Sequence, residues 1–239
     1  MALRIDVITL FPEMFVGPFD ASILRRARDA GLVDLRLHQL RDFATGRHAV
    51  VDDYPYGGGP GMLLKPEPIY RAVASVRQPG AQVAALAASA PPFRQALAAA
   101  WAAAPQLVLV CGHYEGVDER ALDEVGAHRV SIGDYVLTGG EIAAMVIVDA
   151  VARLIPGVLG DETSSADESY AAGVLEYPQY TRPPQFHGRE VPAVLLRGAH
   201  AEVAAWRRRA ALERTLAWRP DLLDDAAWDE CRRLGLTPD

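Results

Sequence analysis

Residues able to move charge and protons gather in the second half of the chain. Asp149 and Arg153 stand four residues apart in the apolar run from Ile142 to Ile155, so on a helix they share one face. That spacing suits an internal ion pair. It equally suits an arginine near a helix end that offsets negative charge growing on a substrate. Farther on, Asp167 and Glu168 are adjacent carboxylates in a polar, acidic stretch. On open surface they are solvated groups; folded over a ligand, either can serve as a general base. The six histidines are scattered without ligand spacing, so no protein metal site is expected. No serine, cysteine or lysine stands in a recognised nucleophile setting.

Glycine-bearing loops supply the binding chemistry. One runs from Gly112 to Gly116 with Tyr114 and Glu115; another, Ser131 to Glu141, holds Gly133, Gly139 and Gly140 with Tyr135. Glycine allows tight turns and close approach of backbone to a ligand. Neither loop has the Gly-x-Gly-x-x-Gly or Gly-Lys-Ser/Thr pattern, so the common nucleotide fingerprints do not apply. Each can be an ordinary turn; as a pair they can surround an adenine and its sugar with main-chain groups and apolar walls. The stretch from Gly46 to Met62 is too dense in glycine and proline for helix or strand. A long loop of that kind is either a flexible connection or a functional segment, and its aspartates and tyrosines, Asp53 and Tyr56 among them, favour a substrate-facing one.

These loops need a scaffold, and the hydrophobic pattern describes one. Leu3–Leu10, Val33–Leu40, Gln82–Ala88, Leu107–Cys111 and Arg129–Ile132 read as strands, the fourth apolar throughout, as in the middle of a parallel sheet. Ala21–Ala30, Pro66–Val76, Gln95–Ala104, Asp118–Val125 and Glu141–Ile155 read as helices between and after them. Strands alternating with helices give an α/β domain whose ligand crevice lies at the carboxyl ends of the strands. The helix from Glu141 is apolar nearly all round, which suits burial on several sides, including a subunit contact.

After Pro156 the texture changes to an acidic connector, then to helices around Glu202–Trp218 and Ala226–Leu234. Arg207, Arg208, Arg209, Arg214 and Arg219, flanked by Trp206 and Trp218 and preceded by Arg182, form a basic cluster in a chain of net charge −7. The cluster is either a solvated helix face or a contact for a phosphate backbone. The 239 residues, 50% hydrophobic and 23% charged, suit a globular protein with one large domain and a small appendage. The N-terminus has charges inside its first apolar run and is not expected to be a signal peptide, and the longest apolar run is too short and too charged to span a bilayer. Cys111 and Cys231 form no paired motif, so a reduced, cytoplasmic chain is expected.

Five motifs occur in order: Val51-Asp52-Asp53-x-Pro55-Tyr56-Gly57-Gly58-Gly59-Pro60-Gly61-Met62; Cys111-Gly112-x-Tyr114-Glu115-Gly116-Val117-Asp118-x-Arg120; Ser131-Ile132-Gly133-Asp134-Tyr135-Val136-Leu137-x-Gly139-Gly140-Glu141; Ile155-Pro156-Gly157-Val158-Leu159-Gly160; and Tyr180-Thr181-Arg182-Pro183. With them the chain resembles, over essentially its whole length, the bacterial tRNA (guanine-N1)-methyltransferases of the SPOUT class. The resemblance implies a parallel-sheet methyltransferase domain with a deep trefoil knot over about Leu86 to Gly140, an exception to the rule that chains avoid threading. It implies three regions: residues 1–158 catalytic, 159–172 a connector over the active site, and 173–239 a helical domain that grips tRNA.

The implied reaction moves a methyl group from S-adenosyl-L-methionine to N1 of the guanosine 3′-adjacent to the anticodon, in a homodimer with active sites between subunits and possible help from Mg2+. By position, Gly112, Ile132, Gly133, Asp134, Tyr135, Val136 and Leu137 hold the donor, with Leu86, Ala88, Tyr114, Glu115, Gly139 and Gly140 lining its pocket. Arg153 matches the arginine that acts on the guanine. Asp53, Tyr56, Arg182 and Arg207 are expected to meet the tRNA. Three positions depart from the family's pattern: Glu168 stands for the aspartate base, with Asp167 beside it as the other candidate, His113 for an arginine, and Ala88 for a proline. The rival readings are a SPOUT methyltransferase with another target nucleotide, a non-catalytic RNA-binding relative, and, least supported by the motifs, a phosphate-binding hydrolase.

Overall fold

A computed structural model describes residues 2–159, 168–170, 173–197 and 199–237. The chain divides into two compact units, Met1–Gly160 and Asp161–Asp239.

The first unit is built on five parallel strands: β1 (Leu3–Thr9), β2 (Val33–Gln39), β5 (Gln82–Leu86), β6 (Gln106–Cys111) and β7 (His128–Val130), in the order β2-β1-β6-β5-β7. Side chains alternate across the strands, so each face has its own core. Ile5, Val7, Leu107, Leu109 and Leu86 point to one face, where α1 (Ser22–Asp29), α3 (Gln95–Ala102) and α5 (Glu141–Ala152) bring Ala27, Trp101, Ile147 and Val151. Ile8, Val83, Ala85, Val108 and Val110 point to the other, covered by Ile69 and Val73 of α2 (Pro66–Val76) and Ala121 and Leu122 of α4 (Glu119–Glu124). β6 is buried along its whole length, as its apolar sequence requires.

Several elements stop short of their predicted ends. β5 ends at Leu86: the Ala87 amide makes the last bond to β7, to the Val130 carbonyl at 3.0 Å, and the chain then turns, the Ala90 amide bonding the Ala87 carbonyl at 3.3 Å. β7 ends at Val130 because Ser131 bonds outward instead, its amide to the Pro91 carbonyl at 2.9 Å. The loop predicted from Gly46 to Met62 contains a strand after all. β3 (Asp52–Asp53) pairs antiparallel with β4 (Leu63–Leu64), anchored by the buried Val51 and Leu64, and only the residues between them form the open loop.

The second unit is helical. α7 (His200–Trp218) packs Leu212 and Leu216 against Val174, Leu223 and Cys231, the last on α8 (Asp225–Arg233), whose start is capped by the Asp224 carboxylate accepting from the Ala227 amide at 2.8 Å. A two-residue hairpin, β8 (Gln185–Phe186) with β9 (Arg189–Glu190), and the single turn α6 (Ala193–Leu196) precede α7. Among the described residues no helix is long and apolar enough to cross a membrane.

Candidate functional site

Adjacent parallel strands release their loops side by side, and β6, β5 and β7 are neighbours in that order. The loops that follow them, at Ala87–Ser89, Gly112–Gly116 and Ser131–Gly140, therefore converge on one cavity of about 360 Å3 at the carboxyl edge of the sheet. Main-chain bonds knit them together: the Phe93 amide to the Ser131 carbonyl at 2.7 Å, and the Gly140 amide to the Gly112 carbonyl at 2.8 Å. Leu86, Ala88, Gly112, Tyr114, Glu115, Ile132, Gly133, Tyr135, Val136, Leu137, Gly139 and Gly140 all border this cavity. Asp134 does not; it is exposed.

Close backbone contact explains Gly140 in the cavity wall. A Cβ on Gly140 would stand 2.8 Å from the Cys111 Cα and 2.9 Å from the Gly112 nitrogen, closer than real Cβ atoms come to backbone. Gly61 plays the same part for the hairpin loop. At φ +83 it runs against the Glu115 side chain, while the Glu115 amide donates to the Met62 carbonyl at 3.0 Å. Asp53 lies at the foot of that loop, held by Lys65 at 3.2 Å. Its own bond from the Tyr54 amide, then Lys65, lowers its carboxyl below the ordinary range. Tyr56 is almost wholly exposed.

Beneath the floor lies a buried pair that the sequence reading did not single out. The Thr9 hydroxyl donates to Glu141 Oε1 at 2.7 Å and accepts from the Phe11 amide at 2.9 Å, and Glu141 is 1% exposed. The carboxylate sits in the first turn of α5, where free amides favour negative charge. It ties the end of β1 to the helix that follows the glycine loop. A glutamate directly after Gly139-Gly140 at the head of an apolar helix was the available signal. Burial, and then Glu141, push the Cys111 thiol well up, so it is no nucleophile. The His113 ring lies between Phe11 (5.1 Å) and Tyr114 (4.7 Å), and its Nδ1 is buried with no hydrogen-bond partner among the described residues.

Arg153 follows the last turn of α5, half-buried, while Asp149 is exposed. Asp167 lies outside the described residues. Glu168 belongs to the second unit, where it borders a separate cavity of about 360 Å3 with Tyr177, His200, Arg207 and Arg208. The arginine cluster divides. Arg208 is committed to Glu230 at 2.6 Å, Arg209 to Glu213 at 2.8 Å and Arg219 to Asp221 at 2.7 Å. Arg207 instead lies over the Tyr177 ring at 4.8 Å, and Arg214 over Trp218 at 5.0 Å. Arg182 is exposed. Among the described residues no three His, Cys, Asp or Glu side chains gather as a metal site would need.

The family model described as "tRNA (Guanine-1)-methyltransferase TrmD" matches residues 3–225. Similar proteins include one from Dictyoglomus turgidum, 55% identical over 93% of this chain and 90% of its own length. Another, from Desulforudis audaxviator, is 56% identical over 93% and 90%, and one from Geobacillus kaustophilus is 53% identical over 93% and 92%. All three are named tRNA (guanine-N(1)-)-methyltransferase. With a parallel sheet, three converging loops, two of them rich in glycine, and a helical second unit, the chain belongs to the TrmD family of tRNA (guanine-1)-methyltransferases.

Proposed function

We propose that this protein methylates N1 of the guanosine 3′-adjacent to the anticodon (position 37) of tRNA, using S-adenosyl-L-methionine, in the cytoplasm. The observation that carries the reading is the cavity where the β5, β6 and β7 loops meet, with Gly140 pressed on Cys111 and Gly112. A side chain on Gly140 would push its loop away from the Cys111–Gly112 backbone and so deform this main-chain cradle. The cradle fits the donor: glycine-rich main chain can approach an adenine edge and ribose hydroxyls closely, and Leu86, Ile132 and Leu137 offer apolar faces. Leu86, Ala88, Gly112, Tyr114, Glu115, Ile132, Gly133, Tyr135, Val136, Leu137, Gly139 and Gly140 are the residues that would hold it. When bound, the donor supplies a sulfonium-activated methyl group. The same reading gives the chain from Leu86 to Gly140 the family's knot, and the Gly140–Gly112 bond, which brings the third loop back onto the second, supports it.

Guanine N1 carries a proton and is a poor nucleophile until that proton leaves. The Glu168 carboxylate accepts it, and the Arg153 guanidinium offsets the charge that then grows toward O6. An unstacked anticodon-loop base enters such a site at modest cost. Asp53 and Tyr56, on the hairpin loop that Gly61 seats against Glu115, contact the tRNA, as do Arg182 and Arg207. Of the helix arginines, Arg207 is the one to contact phosphate, because Arg208, Arg209 and Arg219 are already matched with carboxylates and Arg214 donates to the Glu176 carbonyl.

Two copies complete the enzyme. Ile142 (48% exposed) and Val146 (45%) stand one turn apart on α5, with exposed Met14 and Val16 in the turn that packs beside that helix. An apolar strip of this kind next to the glycine loop suits a twofold contact between subunits. Methyl transfer from labelled donor to tRNA transcripts with and without guanosine at the target position tests the reading. Transfer should require that guanosine.

A further inference from the structure

We propose that Thr215 is a positioning residue for the Glu168 carboxylate, acting through two short segments that its hydroxyl helps to bind onto α7. The inference rests on Glu168 being the proton acceptor. In the sequence Thr215 is an unremarked residue between arginines; in the fold it is one of the buried polar side chains, at 0% exposure.

Its hydroxyl both donates and accepts. It donates to the Ala211 carbonyl one turn back at 2.7 Å and accepts from the Leu175 amide at 2.8 Å. The first bond is local and available to any helical threonine. The second reaches 40 residues along the chain and picks up a main-chain amide that has no helix or strand to satisfy it. The preceding residue, Arg214, donates from Nη1 to the Glu176 carbonyl at 3.1 Å. Consecutive residues of α7 therefore hold consecutive residues of the segment Val174–Glu176.

That segment in turn holds the turn that bears Glu168. The Glu176 amide donates to Ser169 Oγ at 3.1 Å, and the Tyr170 amide donates to the Val174 carbonyl at 3.0 Å. Tyr170 has φ 74, a left-handed conformation that closes the turn, and Arg219 of the same unit lies over its ring at 5.9 Å. The order of support is α7, then 174–176, then 168–170. Glu168 itself stands at a bend rather than in a helix or strand, and a misplacement of about 1 Å costs on the order of 100-fold in rate. Thr215 does not touch the reacting atoms; it fixes the ground on which Glu168 stands. The Arg214-Thr215 pair thus serves as internal support within a helix whose arginines the sequence presents as an RNA contact.

The test uses the full chain in steady-state methyl transfer to tRNA, with donor binding followed by calorimetry, for Thr215→Val, Thr215→Ser, Ser169→Ala and Glu168→Gln. Thr215→Val keeps the side-chain shape and deletes the hydroxyl. It should lower kcat about tenfold or more while KM for the donor stays unchanged, and Thr215→Ser should restore most of the loss. Ser169→Ala breaks the relay outside the helix core and should lower kcat several-fold; it decides the matter if Thr215→Val does not fold. Full kcat in Thr215→Val or in Ser169→Ala, alongside lost turnover in Glu168→Gln, overturns this inference alone. So does a Thr215→Ser variant as slow as Thr215→Val. Normal turnover in Glu168→Gln overturns the proton-acceptor assignment and this inference with it.

Discussion

The Gly140 backbone lies against that of Cys111, with room for a hydrogen atom between them and no room for a methyl group: a Cβ would stand 2.8 Å from the Cys111 Cα. Both partners are held, Cys111 at the end of the buried β6 and Gly140 at the start of α5, so neither can step aside. The φ of −81 at Gly140 is open to any residue, which makes space the sole constraint. Gly140→Ala should therefore weaken binding of S-adenosyl-L-methionine tenfold or more and cost about 1–3 kcal/mol of stability through overpacking. Calorimetric titration and thermal unfolding check the two effects separately.

Glu168→Gln keeps the size of the side chain and removes its ability to take a proton. Turnover should fall by about 100-fold or more, with donor affinity intact. Asp167→Asn should retain most of the activity. Single-turnover methyl transfer measures both, and the reverse ranking would assign the proton to Asp167.

Acid stability should depend on Asp6, buried in the middle of β1. Burial alone would raise its pKa. Bonds from His38 at 2.8 Å, Arg4 at 2.8 Å and Gln106 at 2.6 Å outweigh it and lower the carboxyl from 3.8 to about 2. A carboxylate whose pKa is depressed by folding stabilises the protein above its unfolded value and loses that contribution as pH falls through the folded one. The stabilisation, on the order of 2 kcal/mol, is thus present above about pH 4–5 and lost toward pH 2. Denaturant unfolding of wild type and Asp6→Asn from pH 7 to pH 2 should show the variant weaker at pH 7 and flatter across the acid window.

Ile142→Glu or Val146→Glu places a carboxylate on the apolar strip of α5. Sedimentation equilibrium should show wild type as a dimer and either variant shifted toward monomer, with methyl transfer lost in parallel. The strip faces away from its own core, so the isolated chain should still fold.

The sequence discloses elements better than partnerships. The apolar run Leu107–Cys111 announces a central strand, and β6 is one; the placement of β5 and β7 on its far side, which brings three loops to one cavity, has no signature in periodicity. β3 and β4 have no signature in periodicity because two residues carry no repeat, and the glycines and prolines between them dominate the pattern. In the arginine cluster, the partners Glu213 and Asp221 were legible from local spacing, whereas the Arg208–Glu230 pair spans two helices and was not. The Thr9–Glu141 bond joins residues 132 positions apart. The glycine motifs, by contrast, were readable because close backbone contact leaves one residue type possible. Asp134 was drawn in with its neighbours by motif and lies outside the cavity they form.

The most direct test of the account is nucleoside analysis of tRNA methylated by the purified protein. Digestion and mass spectrometry should yield 1-methylguanosine, with the methyl group mapping to the guanosine beside the anticodon and no incorporation when adenosine replaces it. A methylated nucleoside of any other kind, or transfer that persists without that guanosine, would contradict the proposed activity.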